Sequence, residues 1–332
     1  MNRRLLWLAI TCIALLVGAL YLVGSNPSDA VTTLFRGTLG SPQAIAGTLR
    51  ETTPLLIMGI AVFLALQAGL FNIGVEGQFL VGALATAGVA LRFPGPAGLV
   101  LGCCLGTLVG ACWAFFPAWI KAYRGGHEVI TTIMLNSVAG FLTTALVAGP
   151  LKDPKQQSPT TAIISSRLPW LVDTETMQVS SGIIFGIALL AGFAYWMKRY
   201  VAGYELRAVG LNAEASQRAG IDPKRVILRT MVISGAIAGF AGAIQVLGYE
   251  GRFYADFSPG YGFTSLGVGL LAGTNPVGLL WSALLFGVLG HGSSSLQVLG
   301  VPKGIGSLAL GITIAIAAAI RYRKASLEGE EA

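Results

Sequence analysis

The sequence predicts an all-α fold, a polytopic bundle of transmembrane helices with about ten crossings, some of them interrupted or re-entrant. Three observations predict it. Of 332 residues, 54% are hydrophobic and only 11% are charged, against roughly 25% charged in soluble proteins. That excludes two soluble domains, a disordered chain and a nucleic-acid-binding domain. Glycine occurs 45 times, about twice its usual share, as suits helices that approach one another closely in lipid. Apolar runs near the length that crosses about 30 Å of hydrocarbon recur along the whole chain.

The elements follow in order. Residues 5–23 come after Asn2, Arg3 and Arg4 like the opening of a signal peptide. The run is longer than a usual h-region and Gly24, Ser25 and Asn26 make a poor cleavage site, so it is expected to be a retained first span. Further spans are expected over 54–70, 78–91, 97–120, 129–148, 182–197, 226–247, 263–272, 277–290 and 305–320. The eighth is too short at 1.5 Å per residue to cross alone, and is either a broken helix or a re-entrant segment.

With ten crossings and a cytoplasmic N-terminus, 14 Lys and Arg fall inside and 8 outside, the bias expected of cytoplasmic loops. Nine crossings would put the Arg321, Tyr322, Arg323, Lys324 cluster outside, against that rule. The whole of 1–332 reads as one transmembrane domain with two polar segments. An external one, 150–181, is long enough to form a small cap or meet a partner. A cytoplasmic one, 198–229, has seven basic and three acidic residues and a helix-like patch at 213–219 ended by Gly220 and then Pro223. Cys12, Cys103, Cys104 and Cys112 all sit in apolar runs with no second Cys/His cluster at metal spacing. No metal and no cofactor is expected.

Several motifs bear on function. Residues 69–78 read Gly-Leu-Phe-Asn-Ile-Gly-Val-Glu-Gly-Gln, placing Asn72, Glu76 and Gln78 among glycines between two apolar runs. Such groups either line a cavity or, for Glu76, sit in a short wet turn near helix N-terminal amides. His127-Glu128 heads a helix whose i+4 position is Thr131, not His, which argues against a zincin. Asn136 in that span either meets a polar solute or makes a packing hydrogen bond between helices. Gly102, Gly106 and Gly110 line one helix face, as Gly235 and Gly239 do another, for close backbone approach. Residues 262–276 form a second Gly-rich, interrupted stretch, and matched interruptions in two halves point to a solute site between repeats. No Gly-Lys pair exists, so there is no P-loop. Energy from nucleotide must come from another subunit.

Taken together, 69–78 with Val81-Gly82-Ala83, the run 128–136, the run 208–221 and Ser234-Gly235-Ala236-Ile237-Ala238-Gly239 resemble the inner-membrane permeases of bacterial ABC importers. The family is that of the branched-chain amino acid and ribose permeases, in its nucleoside-type branch, and the resemblance covers about 54–320. It implies a non-enzymatic transport subunit in the bacterial cytoplasmic membrane, multi-pass, with both termini cytoplasmic. It also implies a second homologous permease in an expected heterodimer, two ATPase subunits, and an extracytoplasmic solute-binding protein or lipoprotein. Residues 208–221 match the family's coupling loop, giving Asn212, Ala213, Glu214, Ala215 and Gly220 as the ATPase-coupling residues. Asn72, Glu76, Gln78 and Asn136 are the candidates for polar groups in or near the path of a nucleoside. Simple sugars and branched-chain amino acids are the alternative cargoes, and an ATP-independent secondary transporter the rival class.

Overall fold

The computed structural model describes residues 26–297 and, beyond them, 300–302, 304, 308–316 and 319. The expected first span, 5–23, lies outside the described residues, and the expected last span, 305–320, lies only partly within them. The regular structure of the described residues is helical apart from one hairpin and an isolated bridge between Thr160 and Tyr254. Its helices are α1 (Pro27–Leu39), α2 (Pro42–Gln67), α3 (Val75–Arg92), α4 (Pro96–Arg124) and α5 (Glu128–Ala148). The antiparallel pair β1 (Trp170–Thr174) and β2 (Met177–Ser180) follows, then α6 (Gly182–Arg199), α7 (Val201–Leu211), α8 (Ala213–Arg218) and α9 (Pro223–Gln245). A π-helical turn (Val246–Glu250) extends α9, and α10 (Tyr261–Leu271) and α11 (Gly278–Leu296) complete the bundle.

Six helices among the described residues are long and apolar enough to cross a membrane: α2, α4, α5, α6, α9 with its π turn, and α11. The other four of the expected ten are not among these six, for identifiable reasons. Two expected spans fall wholly or partly outside the described residues. The 18 residues of α3 include Glu76, Gln78 and Arg92, which dilute its apolar character. The 11 residues of α10 extend only about 16 Å at 1.5 Å per residue, so the short eighth segment is indeed a short helix.

The second expected span also starts earlier, at Pro42 instead of residue 54. Ser41 caps it, its side chain accepting from the Ala44 amide at 3.1 Å. Threonines then return their hydroxyls to the helix's own carbonyls, Thr52 to Thr48 at 2.7 Å and Thr53 to Leu49 at 2.8 Å. Those internal bonds satisfy polar groups that an apolar window would treat as loop. α2 is buried on every side over residues 55–66, as a helix that is hydrophobic all round must be.

Glycines decide how closely α3, α4 and α9 approach. A β-carbon on Gly239 would overlap the Gly106 carbonyl oxygen, one on Gly110 the Gly235 carbonyl, and one on Gly242 the Phe79 carbonyl. The glycines predicted to line separate faces of two spans therefore face each other. Close backbone contact of this kind supplies the packing that the hydrophobic effect does not supply between helices in lipid. By contrast α5 buries one stripe, Glu128, Thr132, Asn136, Ala139, Thr143 and Val147, and exposes Ile130, Met134 and Phe141 on the other side.

The segment 150–181 forms the β1–β2 hairpin, but it is not a free-standing cap. Residues 159–168 are laced to the irregular stretch after α9. Leu168 donates its amide to Leu247 O at 2.9 Å, Ile164 to Gly251 O at 2.8 Å and Thr161 to Phe253 O at 2.8 Å, while Ala255 donates to Pro159 O at 3.0 Å. Side chains add to the lacing, with Arg167 Nη2 donating to Tyr249 O at 2.7 Å and Thr161 Oγ1 accepting from the Phe253 amide at 3.0 Å. These bonds satisfy backbone groups that the end of a helix leaves unpaired.

Candidate functional site

The chain leaves α2 at Gln67, turns at Gly69 with φ of 72°, and reaches α3 through residues 68–74 without helix. Asn72 in this connection is fully buried. Its Nδ2 donates to Gln78 Oε1 at 2.9 Å and to Ser234 Oγ at 2.8 Å, and Gln78 Nε2 donates back to Asn72 Oδ1 at 3.2 Å. Ser234 in turn donates to Ala61 O at 2.8 Å. Asn136 donates from Nδ2 to Ile73 O and accepts at Oδ1 from the Gly77 amide, both at 2.9 Å. Gly77 is the third residue of α3, and Gly74, which precedes that helix, offers no side-chain cap. Asn136 therefore caps α3 from a neighbouring helix, satisfying an amide that helix geometry leaves free.

Glu76 does the same for another helix. Its Oε2 accepts from the Gly262 amide at 2.5 Å, and Ser258 also hydrogen-bonds to its side chain. Ser258 Oγ accepts from the Gly260 and Tyr261 amides, each at 3.2 Å. Glu76 and Ser258 together therefore occupy the free amides at the start of α10. The two interrupted segments noted in the sequence meet here, the N-termini of α3 and α10 converging on one carboxylate. A side-chain acceptor placed there satisfies an amide that the start of a helix leaves free.

The structure thus brings Asn72, Glu76, Gln78 and Asn136 together. Ser234, Ser258 and Gly262 complete the cluster and carry too weak a sequence signal to find in isolation. A second polar group lies nearer the hairpin. Arg50 Nη2 and Glu250 Oε1 are 2.7 Å apart, Gln245 Nε2 donates to the same oxygen at 3.2 Å, and Arg50 lies over the Tyr249 ring at 5.8 Å. Burial and the Glu250 carboxylate push the Tyr254 phenol up to about 12, so it keeps its proton across the physiological range. Arg50 precedes the apolar run that marked the second span, and so carried no signal of its own.

Beside the first cluster, the loop after the π turn packs as an aromatic stack. Phe253 and Phe257 have ring centroids 4.7 Å apart, and Phe257 lies 5.8 Å from Phe79 of α3. The same loop, with α5 and Leu80, lines a groove of about 410 Å³.

At the end of α2 away from the hairpin, α8 is a short capped helix. Asn212 Oδ1 accepts from the Ala215 amide at 2.9 Å, and Gly220 with φ of 87° ends the turn in the left-handed conformation. Ala213, Glu214 and Ala215 are exposed, and Glu214 pairs with Arg218 at 2.7 Å. Leu211 is 88% exposed, an apolar side chain offered outward beside a charged pair. Just before it, Gly210 packs on the end of α2, where a β-carbon would meet the Gln67 carbonyl and Ala68. Gly69 in turn abuts the Gly210 carbonyl. The exposed helix and the Asn72 connection are therefore joined through two glycines.

A family model described as branched-chain amino acid transport system / permease component matches residues 44–318. The chain is 37% identical to the guanosine ABC transporter permease protein NupP of Bacillus subtilis, over 97% of each chain. It is 36% identical to the nucleoside ABC transporter permease protein NupB of Lactococcus lactis, over 87% of this chain and 84% of that one. A glucose ABC transporter permease of Haloferax volcanii is 37% identical, over 88% of this chain and 81% of its own. No solved structure matches. A helical, multi-pass chain with interrupted segments and no nucleotide-binding motif of its own, matched over most of its length, belongs to the branched-chain amino acid transport system permease family as a transport subunit and not an enzyme.

Proposed function

We propose that this chain imports nucleosides, forming with a second, homologous permease the translocation path of an ATP-driven importer. The observation that carries the reading is its identity of 37% and 36% to permeases named for guanosine and for nucleosides, over most of each chain. A relative named for glucose is as similar, and a hydroxylated sugar ring is the chemistry those cargoes share.

In this reading the chain lies in the cytoplasmic membrane with both termini inside. It crosses ten times, with 5–23, α3, α10 and 305–320 joining the six long helices, and forms one domain. Two ATPase subunits engage α8 at Asn212, Ala213, Glu214, Ala215 and Gly220. A solute-binding protein or lipoprotein docks at the 150–181 segment. Closure of the ATPases pushes on α8, and the Gly210 contact passes the displacement to the end of α2 and so to the Asn72 connection. Asn72, Glu76, Gln78 and Asn136 hold the walls next to the path. Alternating access requires that each state make different contacts with the ATPases and the solute.

The test is uptake of radiolabelled nucleosides in cells with and without this chain, repeated after inactivating the associated ATPase, with glucose and branched-chain amino acids as competitors. Loss in both backgrounds with competition by nucleosides alone is the expected result. Uptake that survives ATPase inactivation would identify a secondary transporter, and competition by glucose would change the cargo.

A further inference from the structure

The groove between α5 and the loop at 256–258 has a lining that lipid does not explain. Ser258 bonds to Glu76, the second residue of α3, whereas Arg92 ends that helix 16 residues later, about 24 Å away at 1.5 Å per residue. The loop therefore reaches well into the length of the bundle. Asp256, two residues before Ser258, is exposed there and makes no hydrogen bond or ion pair among the described residues. A bare carboxylate at that depth faces water, not hydrocarbon.

Two further observations point the same way. Asp256 is the one non-glycine residue among the described ones with positive φ, at 57°. Asp tolerates that conformation better than most residues, and it persists because both flanks are held. Phe253 and Ala255 are bonded to residues 159–161 before it, and Ser258 is bonded to the start of α10 after it. Backbone held in a sparsely populated conformation is a marker of functional sites. On the facing helix, Thr131, Thr132 and Thr143 turn their hydroxyls back to carbonyls of α5. Ser137 and Thr144, which line the groove, do not. Their hydroxyls stay open to a ligand, and Phe141 on the same face is 79% exposed.

We propose that this groove is the sugar subsite of the path, in which Asp256 accepts hydrogen bonds from the two vicinal hydroxyls of a nucleoside's ribose. Ser137 and Thr144 offer further hydrogen bonds, and Phe141 covers the apolar face of the ligand. A carboxylate is an acceptor with two oxygens, matched to a pair of neighbouring hydroxyl donors, and its charge shortens and strengthens such bonds. A volume of about 410 Å³ falls in the range of small-molecule sites. The proposal rests on the nucleoside-import reading.

The experiment uses the assembled importer in proteoliposomes, with labelled guanosine and its 2′,3′-dideoxy analogue. Asp256→Asn is expected to raise KM for guanosine about tenfold while leaving the dideoxy analogue and the ATPase association unchanged, a difference of about 1.4 kcal/mol. Equal effects on both solutes, or none on either, overturn the subsite. Wild-type importer that transports no nucleoside at all overturns the nucleoside reading instead. A second measurement places a cysteine at Thr144 in a chain with Cys12, Cys103, Cys104 and Cys112 changed to Ala. Thiol labelling slowed by saturating guanosine is expected. Labelling blocked by assembly and indifferent to guanosine would make the groove a subunit interface and sink the proposal.

Discussion

Gly210 lies against the end of α2 so closely that a β-carbon there would overlap the carbonyl oxygen of Gln67. The obstacle is main chain, not the movable tip of a side chain, so any larger residue must separate α7 from α2. Gly210→Val is expected to reduce uptake at least tenfold while the ATPases still bind α8. ATPase co-purification and uptake, measured on one preparation, check this. Normal uptake would mean that motion at α8 reaches the path by another route.

Asn136 decides between packing and solute contact. Asn136→Ala leaves the Gly77 amide and Ile73 carbonyl without their partners, a loss of about 1–3 kcal/mol for buried groups. The expected outcome is a lower melting temperature in detergent with KM for nucleoside unchanged. A KM shift without a stability change would place the amide against the solute.

Glu76 supplies an acceptor at the start of α10. Glu76→Gln keeps an acceptor for the Gly262 amide with a changed pattern of donors, whereas Glu76→Ala loses the acceptor. Stability is expected to fall in the order wild type, Gln, Ala, with the Ala variant lower by roughly 2–4 kcal/mol. Thermal unfolding in detergent measures it, and an Ala variant as stable as Gln would show that the hydrogen bond contributes little.

The lacing at the hairpin end makes a local prediction. Arg167→Ala combined with Thr161→Val removes the side-chain bonds to Tyr249 O and the Phe253 amide. Faster hydrogen exchange is expected over 246–256, with α4 unaffected, because a segment opens locally when the bonds that tie it down are weakened. Uniform acceleration throughout would indicate a global effect.

Glu214 tests the coupling assignment. Glu214→Lys sets two positive charges at i and i+4 with Arg218 on an exposed turn, destabilising by a few tenths of a kcal/mol, which leaves the fold intact. ATPase association and uptake are both expected to fall. If neither changes, α8 is not the coupling element.

The bundle, the short eighth segment and the glycine faces were legible in the sequence because composition, run length and spacing encode them directly. So was the place of one buried polar cluster, since Asn72, Glu76 and Gln78 are polar groups where apolar residues prevail. Their partners were not. Gly262 takes part through its amide, which every residue but proline carries, Ser234 looks like an ordinary small residue in a glycine-rich helix, and Ser258 like an ordinary loop serine. The early start of α2 was hidden for a related reason, because threonine hydroxyls that bond within their own helix still count as polar in a hydropathy window. The link between 159–168 and 247–255 is mostly main chain to main chain, which no side-chain pattern announces.

Where α3, α4 and α9 touch, they do so backbone to backbone at Gly82, Gly106, Gly110, Gly235, Gly239 and Gly242. Interlocked main chains leave no rotamers to rearrange, so sliding one helix past another means lifting it clear of its neighbour. These three helices are therefore expected to move as one unit, and substitutions that alter transport rates are expected in the elements packed around them instead of at these glycines.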